Sequence, residues 1–217
     1  MSNGRVLLLV GVSVLSSACA LDVVAGSGKV VTEPRTVSGF SRVSLSGFGH
    51  VVIERAGSES LTITTDDNLL PYIRTEVTGH TLELGFNDVM TNVRPTQGIV
   101  FRLNVKSLEE LEVSGSGKID VKGLDEDHLR VGISGSGELS AEGVANDLDV
   151  DISGSGRYRG EALESRRATV DISGSGGAIV AASDRLAADV SGSGSIEYVG
   201  DPQIRKHISG SGSVRQR

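Results

Sequence analysis

Apolar and polar residues alternate along most of the chain, and in its second half the alternation repeats. Leu129, Val131, Ile133, Leu139 and Ala141 take every second position, with Gly135 and Gly137 on the same track; the next copy reads Leu148, Val150, Ile152, Gly154, Gly156 and Tyr158. A period of two marks a strand with one buried face. The tetrapeptide Ser-Gly-Ser-Gly begins at Ser114, Ser134, Ser153, Ser173, Ser191 and Ser209, at intervals of 18 to 20 residues. Ser46-Gly47-Phe48-Gly49 is a divergent earlier copy. A flexible Gly/Ser linker would not be flanked each time by alternating apolar residues. Each repeat predicts a strand before the tetrapeptide, a second strand after it and a connecting stretch such as Gly123 to Asp127. A coil this short cannot bury its own apolar face, but coils stacked at about 4.8 Å make a continuous core. The pattern predicts an all-β chain folded as a parallel β-helix, or β-solenoid, of 18–20-residue coils.

Because the parity never changes across a tetrapeptide, its glycines are expected to face inward where the chain bends across a narrow interior. The serines are then expected outward, rung over rung, with hydroxyls that can satisfy turn backbone groups. The opposite arrangement, a serine ladder lining the core, stays open. A propeller needs about 40 residues per blade, and collagen needs glycine at every third position. Residues 30–107 lack the clear period but carry strand-like runs in Arg42 to Glu54, Ser60 to Thr65, Thr81 to Phe86 and Ile99 to Val105, so they read as a less regular first part of the same solenoid. Asn87 to Gly98, with Pro95 inside it, reads as a flexible loop.

The leader changes the picture of location. Arg5 precedes an apolar run from Val6 to Leu15, then small residues Ser16-Ser17-Ala18 and Cys19. The run is too short to span a bilayer, so it reads as an export signal. Ser16-Ser17-Ala18-Cys19 resembles a bacterial lipobox with Cys19 as the lipidated residue, while Ala18-Cys19-Ala20 also fits an ordinary signal-peptidase site. Cys19 is the only cysteine of the 217 residues, which excludes an intramolecular disulfide. The expected organisation is a lipoprotein signal peptide over 1–18, a tether over 19–36, a solenoid head over 37–214 and a tail over 215–217. Lipidation would anchor the protein to the outer membrane; without it the protein would be periplasmic or secreted. The formal charge of −7, spread without a basic stripe, argues against a nucleic-acid partner.

Chemistry-bearing residues are sparse. The residue two before each tetrapeptide is Glu112, Gly132, Asp151, Asp171, Asp189 or His207. Stacking in register would line up Asp151, Asp171 and Asp189, either as a cation-binding column or as a solvated acidic strip; three ligands in a line do not make the six- to eight-fold cage that Ca²⁺ takes. Asp66-Asp67 admits two readings, paired carboxylates of a glycosidase or a turn before Asn68, and the scarcity of aromatics, 3% of the chain, argues against a sugar cleft. His50, His80, His128 and His207 show no arrangement of nucleophile, base and orienting acid. Gly26-Ser27-Gly28-Lys29 lacks the phosphate-loop spacing and belongs to the expected tether. No catalytic residue, metal or cofactor is assigned.

Ser38-Gly39-Phe40-Ser41-Arg42-Val43, Val51-Val52-Ile53, Asp66 to Ile73, the tetrapeptide array and the closing Gly200-Asp201-Pro202 to Val214 together resemble the putative auto-transporter adhesin, head GIN domain family. The resemblance covers residues 37–214 and implies a bacterial envelope protein with a β-helical fold. His50 stands where that pattern leads one to expect a small or acidic residue. The expected function is a non-catalytic surface-interaction module, with a surface glycan or an envelope protein as partner and self-association through the solenoid ends as a further route. A carbohydrate-active β-helix enzyme and a structural or signalling partner of another envelope protein are the rival readings.

Overall fold

Strands account for 73% of the described residues and helix for 3%. The computed structural model describes residues 23–87 and 93–217, so the leader and Cys19 lie outside the described residues. The elements are β1 (Val24–Ala25), β2 (Val30–Arg35), β3 (Arg42–Gly47), β4 (His50–Arg55), β5 (Ser60–Asp66), a 3-10 segment (Asp67–Tyr72), β6 (Ile73–Thr78), β7 (Thr81–Phe86), β8 (Val93–Arg94), β9 (Val100–Val105) and β10 (Glu110–Gly115). Long strands follow: β11 (Lys118–Gly135), β12 (Glu138–Gly154), β13 (Arg157–Gly174) and β14 (Gly177–Gly192), then β15 (Ser195–Val199), β16 (Gln203–Gly210) and β17 (Ser213–Gln216). They stack in parallel as a β-solenoid of about five turns.

Register is strict at the array. Leu45, Val113, Ile133, Ile152, Ile172 and Val190 align one above another and are all fully buried. Burying each such side chain contributes about 1.5–3 kcal/mol, and no coil achieves that without its neighbours. The connecting stretch is more regular than its sequence suggested. After an irregularity between Val121 and Leu124, pairing resumes at Leu124 with Gly143, Asp125 with Val144 and Glu126 with Ala145, so it forms another paired edge of the coil. Tyr158 fills the core beside Gly160; among the described residues its hydroxyl has no partner, and burial pushes its pKa upward.

Both serines of each tetrapeptide face outward, as expected, and the core-ladder alternative is excluded. The glycines divide. The second of each pair, Gly117, Gly137, Gly156, Gly176 and Gly194, is buried, and a Cβ there would strike the aliphatic side chain that precedes the array in the coil below, such as Ile133 below Gly156. The first is not inward. Gly115, Gly135, Gly154, Gly174, Gly192 and Gly210 hold φ between 108° and 123°, and a Cβ on Gly154 would lie 2.7 Å from the carbonyl oxygen of Gly135. The turn backbone is satisfied by neighbouring coils, since Ser155 N–H donates to Gly135 O at 2.8 Å and Arg157 N–H donates to Gly137 O at 2.9 Å.

Residues 30–107 begin the stack and also close it. β3 lies in parallel on β10, β4 on β11, β9 on β4 and β7 on β3. Phe48 stands where an array serine would, and stacks on Phe86 with ring centroids 4.8 Å apart. Antiparallel pairing of β2 and β9 with β5, and of β6 with β7, then caps this end.

The cap absorbs part of the expected tether and of the expected loop. β2 is a full partner of β5, so residues 30–35 belong to the sheet and not to a tether. Upstream, buried Asp66 accepts from Gly28 N–H at 2.8 Å, Thr96 N–H at 2.8 Å and Thr96 Oγ1 at 2.7 Å. These donors, the Thr96 amide first, hold its carboxyl below the usual range. Asn68 Nδ2 donates to Ala25 O, and Lys29 pairs with Asp67 at 3.1 Å. Gly26 is required there because a Cβ would collide with the Asp66 carboxylate. The second half of the expected loop is likewise fixed, through Thr96 and through β8, which pairs in parallel with β1. Residues 88–92 lie outside the described residues.

Two glycine substitutions separate backbone strain from coil-to-coil collision. Gly123 has φ of +71° with open space around it, so Gly123→Ala is expected to cost about 1 kcal/mol. Gly154→Ala adds the collision with Gly135 and is expected to cost ~3 kcal/mol or more. Chemical denaturation of the two variants measures the difference; equal losses would show that the stacked carbonyl imposes nothing.

Candidate functional site

The register that builds the core also builds a surface. Glu112, Gly132, Asp151, Asp171, Asp189 and His207 form one outward column, and Ser114, Ser134, Ser153, Ser173, Ser191 and Ser209 form the next. Between them runs a trough of about 470 Å³. The second serines, Ser116, Ser136, Ser155, Ser175, Ser193 and Ser211, stand around the bend. Contrary to the sequence expectation, the hydroxyls do not serve the turns, which are closed by backbone bonds alone. Among the described residues no array hydroxyl takes a protein partner, so both columns offer donors and acceptors to solvent.

Charge is distributed unevenly around the coils. On other faces, neighbouring coils set opposite charges together: Arg157 with Glu138 at 3.6 Å, Arg166 with Asp184 at 3.0 Å, and Arg167 with Asp147. The trough column does the reverse. Asp151, Asp171 and Asp189 repeat at about 4.8 Å with no basic residue between them. Partial burial, then Asp151, Asp189 and Asp149, push the Asp171 carboxyl above its usual range. Among the described residues no group of three or more His, Cys, Asp or Glu side chains converges as metal ligands, and these carboxylates stay in line.

The other sequence candidates are dispersed. Asp66 and Asp67 serve the cap and face no cleft together, which leaves the glycosidase reading without its pair. His50 Nε2 lies 2.6 Å from Asp120, which Lys118 also meets at 2.8 Å. His80 Nδ1 donates to Gly39 O at 3.2 Å, and His128 lies 3.3 Å from Asp147. His207 continues the acidic column at the last coil. Sequence reasoning missed the grip of Asp66 on Thr96; no local signal joins residues 30 positions apart through a buried carboxylate.

A parallel solenoid with a free polar face is the class this geometry defines. The chain belongs to the putative auto-transporter adhesin, head GIN domain family, whose model matches residues 39–202. Similar solved structures include a putative adhesin from Bacteroides fragilis, at 22% identity and a TM-score of 0.73, covering 89% of this chain and 100% of that one. A putative lipid binding protein from Parabacteroides distasonis is 26% identical with a TM-score of 0.57, covering 90% and 100%. A putative adhesin from the same species is 23% identical with a TM-score of 0.53, again covering 90% and 100%. None of the curated proteins matches the chain.

The raised pKa of Asp171 has a definite sign. A carboxyl whose folded pKa exceeds its unfolded value favours the fold when protonated, and that contribution is lost as pH rises through the folded pKa. Asp171→Asn is therefore expected to raise Tm at pH 7, with the gain vanishing below roughly pH 4. Thermal melts at pH 7 and pH 3.5 test this; a variant that melts like the parent at both would mean that the column carries no strain.

Proposed function

We propose that the protein is a non-catalytic module of the bacterial cell envelope, whose trough face engages another surface macromolecule in adhesion. The observation that carries this reading is the double column of outward serine hydroxyls, unpartnered and repeated coil by coil beside a column of carboxylates. Each contact such a face makes is weak, but a polymer or an extended protein surface meets many at once. Membership of a family described as adhesin heads supports the same reading. The commitment of Asp66 and Asp67 to the cap takes away the one carboxylate pair on which the glycosidase reading rested. Export follows from the leader, and Cys19 is the residue that would carry an acyl anchor to the outer membrane.

Capture from envelope extract, resolved into glycan and protein fractions, tests the face. Substituting Ser153, Ser173 and Ser191 together by Arg adds bulk only on the outside, so Tm is expected to change little while capture falls at least tenfold. Undiminished capture would remove the trough from the function. In the same cells Cys19→Ala is expected to abolish palmitate incorporation and release the protein from the membrane fraction; retained label would reject the anchor.

A further inference from the structure

The two ends of the stack are finished differently. Antiparallel strands and the 3-10 segment cover the first coils, burying Leu69 and Leu70. At the other end β16 pairs only with β14, and β17 only with β15, so one side of each backbone is unpaired among the described residues. All eight residues of β16 are exposed. Ile204 and Ile208 continue the columns of buried Leu186 and Val190, yet are 40% and 37% exposed. These side chains prepare a further rung that the described chain does not supply.

Between the two isoleucines the core column changes character. Leu111, Val131, Val150, Val170 and Ala188 stack in register, and the next residue in that line is Lys206. Residues 203–217 contain Arg205, Lys206, Arg215 and Arg217 with no Asp or Glu, although the whole chain has a formal charge of −7. Arg215 and Arg217 are paired with Glu197, whereas Arg205 and Lys206 make no ion pair among the described residues.

We propose that this end is a docking edge for an extended acidic segment of a partner protein, which adds a rung and sets a carboxylate against Lys206 between two apolar residues. Three demands select that occupant. The unpaired N–H and C=O groups call for a strand, as in other sheet-edge recognition. Ile204 and Ile208 call for apolar residues on alternate positions of that strand. Lys206, once covered, needs a carboxylate, because an ammonium buried without a partner is strongly unfavourable. A second copy of the same end would set its own Arg205 and Lys206, which make no ion pair among the described residues, against this pair, so like charges oppose it. Anionic headgroups would answer the charges but leave the backbone edge unpaired.

The test titrates the purified protein into fluorescein-labelled peptides and reads anisotropy. The peptide Thr-Val-Thr-Glu-Thr-Val-Thr presents Val, Glu and Val on one face. It is expected to bind saturably and at least tenfold more tightly than the peptide with Lys at the centre. Lys206→Glu, at an exposed position, is expected to keep the parental Tm and to reverse that preference. Absence of saturable binding, or equal affinity for both peptides, would overturn the proposal and leave Lys206 as a charge that blunts an edge. Binding to phosphatidylglycerol vesicles with no response to either peptide, or a concentration-dependent dimer that the acidic peptide fails to disperse, would also overturn it.

Discussion

At every tetrapeptide corner of the solenoid a glycine carbonyl accepts the amide proton of a serine in the next coil, as Gly135 does from Ser155. That bond can form only because the space beside the carbonyl holds no Cβ, and only because the backbone can take a positive φ there. The remainder of the architecture depends on it. Corners that stack without slippage keep the adjoining strands in register, and strands in register place Val113, Ile133, Ile152, Ile172 and Val190 in one dry column. The second glycine completes the arrangement by leaving room for the aliphatic group below it.

The same bond explains why the serines are available. A serine hydroxyl in a turn commonly satisfies nearby backbone groups, but here the backbone closes the bend unaided and the hydroxyl is left over. Structure and recognition are thereby assigned to different atoms of one tetrapeptide: glycine carbonyls and serine amides hold the coils, while serine side chains meet the surroundings. The acidic column runs in step with them because one register governs both. Its unpaired carboxylates contrast with the alternating pairs on other faces, where Glu138 meets Arg157 and Asp184 meets Arg166.

Much of this was legible in the sequence, for an identifiable reason. Where each coil repeats its neighbour, parity of apolar residues and spacing of glycines determine fold, register and the outward serines together. The failures fall where local pattern stops governing. The position of the first glycine is set by contact with another coil, and parity alone wrongly turned it inward. Residues 30–35 look like ordinary alternation and become part of the cap only because β5 offers them an antiparallel edge. Asp66 reads as one half of an acidic pair, yet its role comes from Thr96 and Gly28, both remote in sequence. Lys206 went unread in the sequence; its place on the apolar track matters only because no further rung covers β16 among the described residues.

The register has one more consequence, for dimensions. From β11 to β14 each long strand pairs only with the coils directly before and after it, so a coil is a separable unit of 18 to 20 residues. Gaining or losing one such unit would alter reach by about 4.8 Å and leave the chemistry of every remaining rung unchanged. The molecule is in that sense a ruler: its graduations are set by backbone hydrogen bonds, and its length can be revised by whole marks without redesigning the face that reads them.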